Sequence, residues 1–394
     1  MDTLTLSRVQ FGLTAAFHYL YPPLSIGLSL LLVFMEGLYL KTRKPLYEHL
    51  TRFWVRIFGL VFALGVASGI TMEFQFGTNW STYSRFVGDV FGSALAAEGV
   101  FAFFLESGFL AILLFGWNRV KPRTHFVATI LVAVGAHFSA VWIVVANSWQ
   151  QTPHGYHLVT GVNGTRAEST EFGQHVFNTP SVDRLFHVYL GAWLAGAFFM
   201  LSVSAWYLLK KRHEEFARTS MRIALAVAAA ASLLQLASGH SSGRGVGVHQ
   251  PPKLAAFEGH YADGVPADLY LFGWVDEKAE KVTLGVALPG MLSYLSKGST
   301  SAPMKGLKAF PPDERPPVNA VFQSYHLMVA IGMSLILIAW GGVLFWWRKS
   351  LWTKRWYLWI LVFSVLGPQI ANQAGWFSAE LGRQPWVVYN LLKT

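Results

Sequence analysis

Residues 97–116 read AEGVFAFFLESGFLAILLFG, a run apolar enough to lie in lipid that nevertheless carries two carboxylates, Glu98 and Glu106. A hydrocarbon core about 30 Å thick takes roughly 20 helical residues, and ionisable groups inside such a span are costly and mark functional positions. The composition supports a membrane helix here. Of 394 residues, 53% are hydrophobic and only 13% are charged, about half the ~25% usual in soluble domains. Mean hydropathy is +0.38. There is no cysteine, which excludes disulfides, thiolate metal sites, iron–sulfur clusters and thiol-attached haem. Any metal must be held by His, Met or carboxylate. The formal charge of +10 does not point to nucleic acid, because Lys and Arg sit in short clusters between apolar runs and not along one helix face.

Apolar segments near residues 11–40, 53–75, 91–116, 126–148, 184–209, 220–238, 320–347 and 353–378 predict an all-α fold, a polytopic transmembrane helical bundle of eight spans. The first segment is too long for a signal-peptide core and contains His18, Pro22 and Pro23. A proline pair there predicts a broken helix beside a pocket, where freed carbonyls find other partners. Basic clusters such as Lys41–Arg43–Lys44, Arg119–Lys121–Arg123, Lys210–Lys211–Arg212 and Arg348–Lys349 fall in alternate loops. The positive-inside rule makes those loops cytoplasmic and puts the amino terminus outside. Residues 239–319, rich in Gly and Pro, then form a long external loop, with a hairpin or amphipathic stretch around KVTLGVALPGMLSYL (281–295). The chain divides into 1–238, 239–319 and 320–394.

With that orientation His18, Glu98, His187, His326 and Met328 lie near the external ends of their spans, as do Glu73 and Glu380. Singly, each is ordinary: a packing Met, a hydrogen-bonded His, a solvated helix end. Gathered at one depth, they form a layer of ligand-type side chains. His, Met and carboxylate without Cys suit haem iron, which takes two axial ligands when low-spin and keeps a position open when reactive. A transporter or channel with a buried carboxylate relay fits the same facts. Eight residues separate Glu98 from Glu106, about 12 Å along a regular helix and 80° around it, so Glu106 would lie deeper, toward cytoplasmic protons. Glu36 reads as an interfacial end or a proton entry, and His137 as a relay or a packing residue. In QPPKLAAFEG (250–259), Lys253 and Glu258 read as a surface charge pair unless another feature places them at a site.

VFGSALAAEGVFAFFLESGFLAI (90–112), GVASGITMEFQFGTNWS (65–81), QPPKLAAFEG (250–259) and AGWFSAELGRQPW (374–386) together resemble subunit I of the cytochrome bd-type quinol oxidases, in the short-loop, cyanide-insensitive branch. The resemblance runs through all eight spans. It implies an electrogenic quinol:oxygen oxidoreductase that oxidises ubiquinol or menaquinol outside and reduces O2 to water with cytoplasmic protons, making a proton gradient without pumping. It implies a low-spin haem b on His187 and Met328, and two high-spin haems, a haem b and a haem d or third haem b, around His18, Glu380 and Glu98. Trp376 and Arg383 match haem-pocket residues, Glu106 a proton-supply glutamate, and Lys253 and Glu258 the pair associated with quinol oxidation. Implied partners are an integral subunit II and, at most, one very small single-span subunit; nucleic acid is not among them. The implied location is a bacterial or archaeal cytoplasmic membrane.

Two departures from the family pattern stand out. His326 occupies the position two residues before the axial Met where familiar members carry Arg, and it becomes a competing ligand candidate. The family pattern also expects a ninth helix after LLKT (391–394). Besides the oxidase, two other classes remain: a haem-bearing quinol electron carrier that does not reduce O2, and a haem-free transporter.

Overall fold

A computed structural model describes residues 2–162 and 164–394. Its helices are α1 (Thr3–His18), α2 (Tyr21–Thr42), α3 (Pro45–Gly77), α4 (Ser81–Ala97), α5 (Phe104–Phe115), α6 (Pro122–Gln151), a short α7 (Phe172–Val176), α8 (Ser181–Leu209) and α9 (Glu214–His249). After them come α10 (Pro251–Phe257), α11 (Met291–Lys297), α12 (Val318–Trp347), α13 (Arg355–Phe363) and α14 (Leu366–Leu381). Among the described residues, seven stretches are long and apolar enough to cross a membrane. The eighth predicted span is the exception: 353–378 is divided between α13 and α14. Pro368 explains the division, since it has no N–H to donate to the carbonyl four residues back, at Ser364. The Pro22–Pro23 pair has the same effect in the first span, where α1 and α2 meet at Tyr19–Leu20.

Three more differences matter. The helix predicted to end at 238 continues to His249, so the long polar segment begins at Gln250. That segment contains the expected hairpin, with β3 (Leu269–Asp276) antiparallel to β4 (Lys281–Leu288). A second hairpin, β1 (Tyr156–Gly161) with β2 (Gly164–Ser169), lies between α6 and α7; no reading of the sequence anticipated it. Between α4 and α5, Glu98–Phe103 forms a π-helix.

Helix α2 is the axis of the bundle, packed on α3, α6 and α8. Its contact with α8 is backbone on backbone. A Cβ on Gly27 would sit 2.2 Å from the Ala192 carbonyl oxygen, and one on Gly196 would sit 2.4 Å from the Gly27 carbonyl carbon. Such crossings suit lipid, where water supplies little drive for helix association and close van der Waals packing replaces it. Around the crossing, Leu28, Leu31, Leu32, Trp54, Phe58 and Phe198 are fully buried, and the Trp54 indole donates to Ser220 on α9 at 3.2 Å.

Gly27→Val therefore forces the two backbones apart. The expected loss exceeds the ~3 kcal/mol typical of overpacking, measured as the yield and thermal midpoint of detergent-purified protein, whereas Gly77→Ala, at a position with open space around it, leaves both unchanged.

Candidate functional site

A single cavity of about 2060 Å³ runs through the end of the bundle away from the basic clusters, larger than the roughly 300–1,000 Å³ of an ordinary small-molecule pocket. His18, Glu98, Glu106, His187, Met328 and Glu380 line it, as do Lys253, Glu258, Trp376 and Arg383. Of the residues singled out in the sequence, Glu36, His137 and His326 do not.

His18 ends α1. Its Nδ1 lies 2.9 Å from Ser68 Oγ, and that hydroxyl already donates to the carbonyls of Leu64 and Gly65. Ser68 must accept from Nδ1–H, which leaves Nε2 with a free lone pair, the tautomer a metal ligand requires. Gly69 makes room for the ring, 3.3 Å from where a Cβ would be. His187, on α8, has Nδ1 3.2 Å from Ser238 Oγ and Nε2 3.0 Å from the Gln235 amide nitrogen, so a metal at Nε2 would take the place of that amide. Met328, on α12, lies over Gly375 of α14 so closely that a Cβ there would be 2.7 Å from Sδ. His18 and Met328 thus sit in shaped cradles for a nitrogen and a sulfur donor.

The π-helix resolves the pairing of Glu98 with Glu106. Its i→i+5 turns advance less per residue than an α-helix, so eight residues approach about two whole turns and both side chains reach the same cavity; the 80° offset expected of a regular helix is lost. Glu98 accepts a hydrogen bond from Ser139 at 2.5 Å, and Glu106 fits against Gly135 of α6.

Glu380 lies among a group of buried basic side chains. Arg383 donates to it, and Asn147 donates at 2.9 Å while accepting from Arg184 at 2.5 Å. Gln151 accepts from Lys253 and donates to Glu380 at 3.4 Å, and Gln150 accepts from Arg383 at 3.2 Å while donating to Tyr83. Asp183, beside Arg184, is taken by Ser242 at 2.6 Å. Burial, then Arg383 and Arg184, push the Lys253 ammonium well below its ordinary pKa, and Glu380 opposes this. The sequence reading missed this cluster. Its signal was the amide run NSWQQ (147–151) at a span end and Arg184 at the start of another.

Lys253 and Glu258 are not a pair in space. Lys253 reaches the Glu380 cluster, while Glu258 turns to the hairpin, accepting from Tyr270 N–H at 3.4 Å. Its other oxygen, Oε1, is buried with no protein partner among the described residues, and burial pushes its pKa up to about 8, the Tyr270 N–H opposing. His326 has Nδ1 2.9 Å from Phe322 O and Nε2 2.9 Å from Tyr270 O. Both nitrogens face carbonyl oxygens; the neutral ring donates from one of them, and the other is aimed at a carbonyl and not at the cavity. His137 is equally committed, with Nδ1 on the Ala133 carbonyl at 2.7 Å and Nε2 accepting from the Trp193 indole at 2.9 Å, which leaves no nitrogen for a relay. Glu36 is no exposed helix end: it is buried, 2.7 Å from His125 Nδ1 and bonded to Thr129 at 2.5 Å.

The sequence matches the family of cytochrome bd terminal oxidase subunit I over residues 6–394. It belongs to that family. It is 41% identical to the cytochrome bd ubiquinol oxidase subunit 1 of Bacillus subtilis, over all of this chain and 86% of that one. Against the cytochrome bd-II ubiquinol oxidase subunit 1 of Escherichia coli it is 36% identical, over 100% and 89% of the two chains. The solved bd oxidase of Geobacillus thermodenitrificans superposes with a TM-score of 0.91 at 30% identity, covering all of this chain and 90% of its counterpart. The protein is thus subunit I of a terminal quinol oxidase, a multi-pass bacterial membrane enzyme whose family uses haem and works with a subunit II. The transporter alternative falls away.

Removing one partner of a buried ion pair costs about 3–5 kcal/mol because the other charge is left uncompensated. Glu380→Ala should lower stability by that order. Glu380→Ala with Arg383→Met should cost less than the sum of the two single changes, by more than about 0.5 kcal/mol, in a double-mutant cycle of chemical unfolding.

Proposed function

We propose that this chain carries the haems of the oxidase, that quinol is oxidised at its outer end beside Glu258, and that O2 is reduced to water with protons drawn from the cytoplasm. The observation that carries this is the common cavity, on which the candidate iron ligands, both inner carboxylates and the quinol-site residues converge. The residues fit haem in three respects. His18 presents a free Nε2, Met328 has a cradle cut for its sulfur, and Arg184, Arg383 and Lys253 gather N–H donors around Glu380, which suits the acidic side groups of the macrocycle. His187 and Met328 would hold a low-spin haem b; His18, Glu98 and Glu380 would hold the high-spin haem b and the haem d or third haem b. Trp376 and Arg383 would complete that pocket. Bound there, the haems supply one-electron transfer and the reduction of O2.

The protein's own part is positioning and proton handling. Glu258 Oε1, buried and unpartnered, is suited to accept a quinol hydroxyl proton, and that proton leaves outward. Lys253 holds the acidic groups of the haem pocket through the Glu380 cluster. Glu106 and Glu98, brought to one face by the π-helix, pass protons toward the O2 site; Glu36 with His125 lies at the end of the bundle nearer the basic loops and serves as their entry. Oxidising outside and consuming protons from inside separates charge without a pump. The amino terminus then lies outside. Subunit II flanks the bundle, and a very small single-span subunit is the remaining partner to look for. Ubiquinol and menaquinol both fit.

His187→Ala and Met328→Leu should each abolish the low-spin haem signal in a reduced-minus-oxidised spectrum. Glu258→Gln should keep that signal and lose about a hundredfold or more of quinol-driven oxygen uptake, the scale of general-base catalysis. Only ionised Glu258 accepts a proton, so wild-type quinol oxidation should rise with pH, be half-maximal near pH 8 and level off above it. A Glu258→Gln variant with an unchanged rate and the same pH profile would remove the assignment.

A further inference from the structure

Three side chains on one face of the first turns of α12 bond the backbone of β3 in order. Asn319 Oδ1 accepts from Val275 N–H at 3.1 Å, Gln323 Nε2 donates to Gly273 O at 2.7 Å, and His326 Nε2 donates to Tyr270 O at 2.9 Å. Their spacing of four and three residues keeps them on one helical stripe. Register shifts on either side of Phe272 interrupt β3 at the part of the strand these residues reach, where a bulge frees backbone groups for other partners. The last rung is the one next to Glu258. The Tyr270 residue is held from both sides, its carbonyl by His326 and its N–H by Glu258 Oε2, and His326 Nε2 is itself 3.8 Å from that oxygen. The imidazole is fixed in turn by stacking on the Phe322 ring at 3.9 Å.

We infer that His326 is a positioning residue for quinol oxidation: by tying the Tyr270 peptide to α12 it sets the Glu258 carboxyl so that Oε1 remains free to receive the quinol hydroxyl. The inference rests on the proposed role of Glu258. It assigns no iron-binding role to His326, whose two nitrogens both face carbonyls. Because α12 also carries Met328, one rigid helix then sets both the proton acceptor and a low-spin haem ligand. The position needs an N–H donor that reaches the Tyr270 carbonyl, so Arg replaces His there and Leu does not.

The test compares His326→Leu, His326→Gln, His326→Arg and Asn319→Ala in the full oxidase, reading kcat and KM for quinol, calorimetric binding of an alkylated hydroxyquinoline as a redox-inert quinol-sized probe, and the dithionite-reduced spectrum. Misplacement of a reacting group by about 1 Å costs on the order of a hundredfold. His326→Leu should therefore lose ten- to a hundredfold in kcat/KM and bind the probe more weakly, with the low-spin spectrum unchanged. His326→Gln, keeping one donor, should fall between Leu and wild type and serves if the Leu variant does not assemble. His326→Arg should recover most of the loss, and Asn319→Ala, which removes a rung remote from Glu258, should lose little. Wild-type kinetics and probe affinity in His326→Leu, an equal loss in Asn319→Ala, or no recovery in His326→Arg would overturn the inference. Wild-type enzyme that neither oxidises quinol nor binds the probe would instead overturn the function on which it rests.

Discussion

The buried ionic cluster around Glu380 is the constraint on which the rest of the molecule depends. Charges removed from water in a membrane protein need partners, and here the partners come from α6, α8, α10 and α14 through three amides of one helix end. The cluster joins the membrane bundle to the polar segment after His249. Gly382 is part of that join, because a Cβ there would meet the Lys253 stem at 2.8 Å.

Packing against glycine recurs wherever a functional side chain must sit between helices. Gly69 faces His18, Gly135 faces Glu106, Gly375 faces Met328 and Gly382 faces Lys253. Removing a Cβ lets the partner helix approach, and the polar side chain is gripped by backbone and apolar surface in place of water. The Gly27–Gly196 crossing does the same for the core, so that α2 and α8 form a stiff spine beside a large cavity.

Much of this was legible in the sequence, and the illegible part has physical causes. Long apolar runs and alternating basic loops disclosed the bundle, and Pro22–Pro23 disclosed the break after His18. Motif resemblance picked out the residues lining the cavity. The division of 353–378 was missed because Pro368 sits inside an apolar run, and the continuation of α9 to His249 because GHSSGRGVGVH (239–249) is rich in Gly and polar residues that a packed helix end nevertheless accommodates. Phase was the hardest to read. A π-turn leaves no mark in composition, so Glu98 and Glu106 looked offset when they share a cavity. Sequence adjacency misled in the opposite sense for Lys253 and Glu258, five residues apart yet facing different clusters. Arg184 and the amides of α6 lay hidden because hydrogen-bonded bridging is a property of three dimensions.

The central claim is that the cavity is a haem and oxygen site, and the most direct measurement is a reduced-minus-oxidised optical spectrum of the purified oxidase with haem extraction from the same sample. Low-spin b-type bands together with high-spin bands, a far-red chlorin band among them if haem d is present, are the predicted result. Folded, assembled protein that yields no extractable haem would contradict the claim.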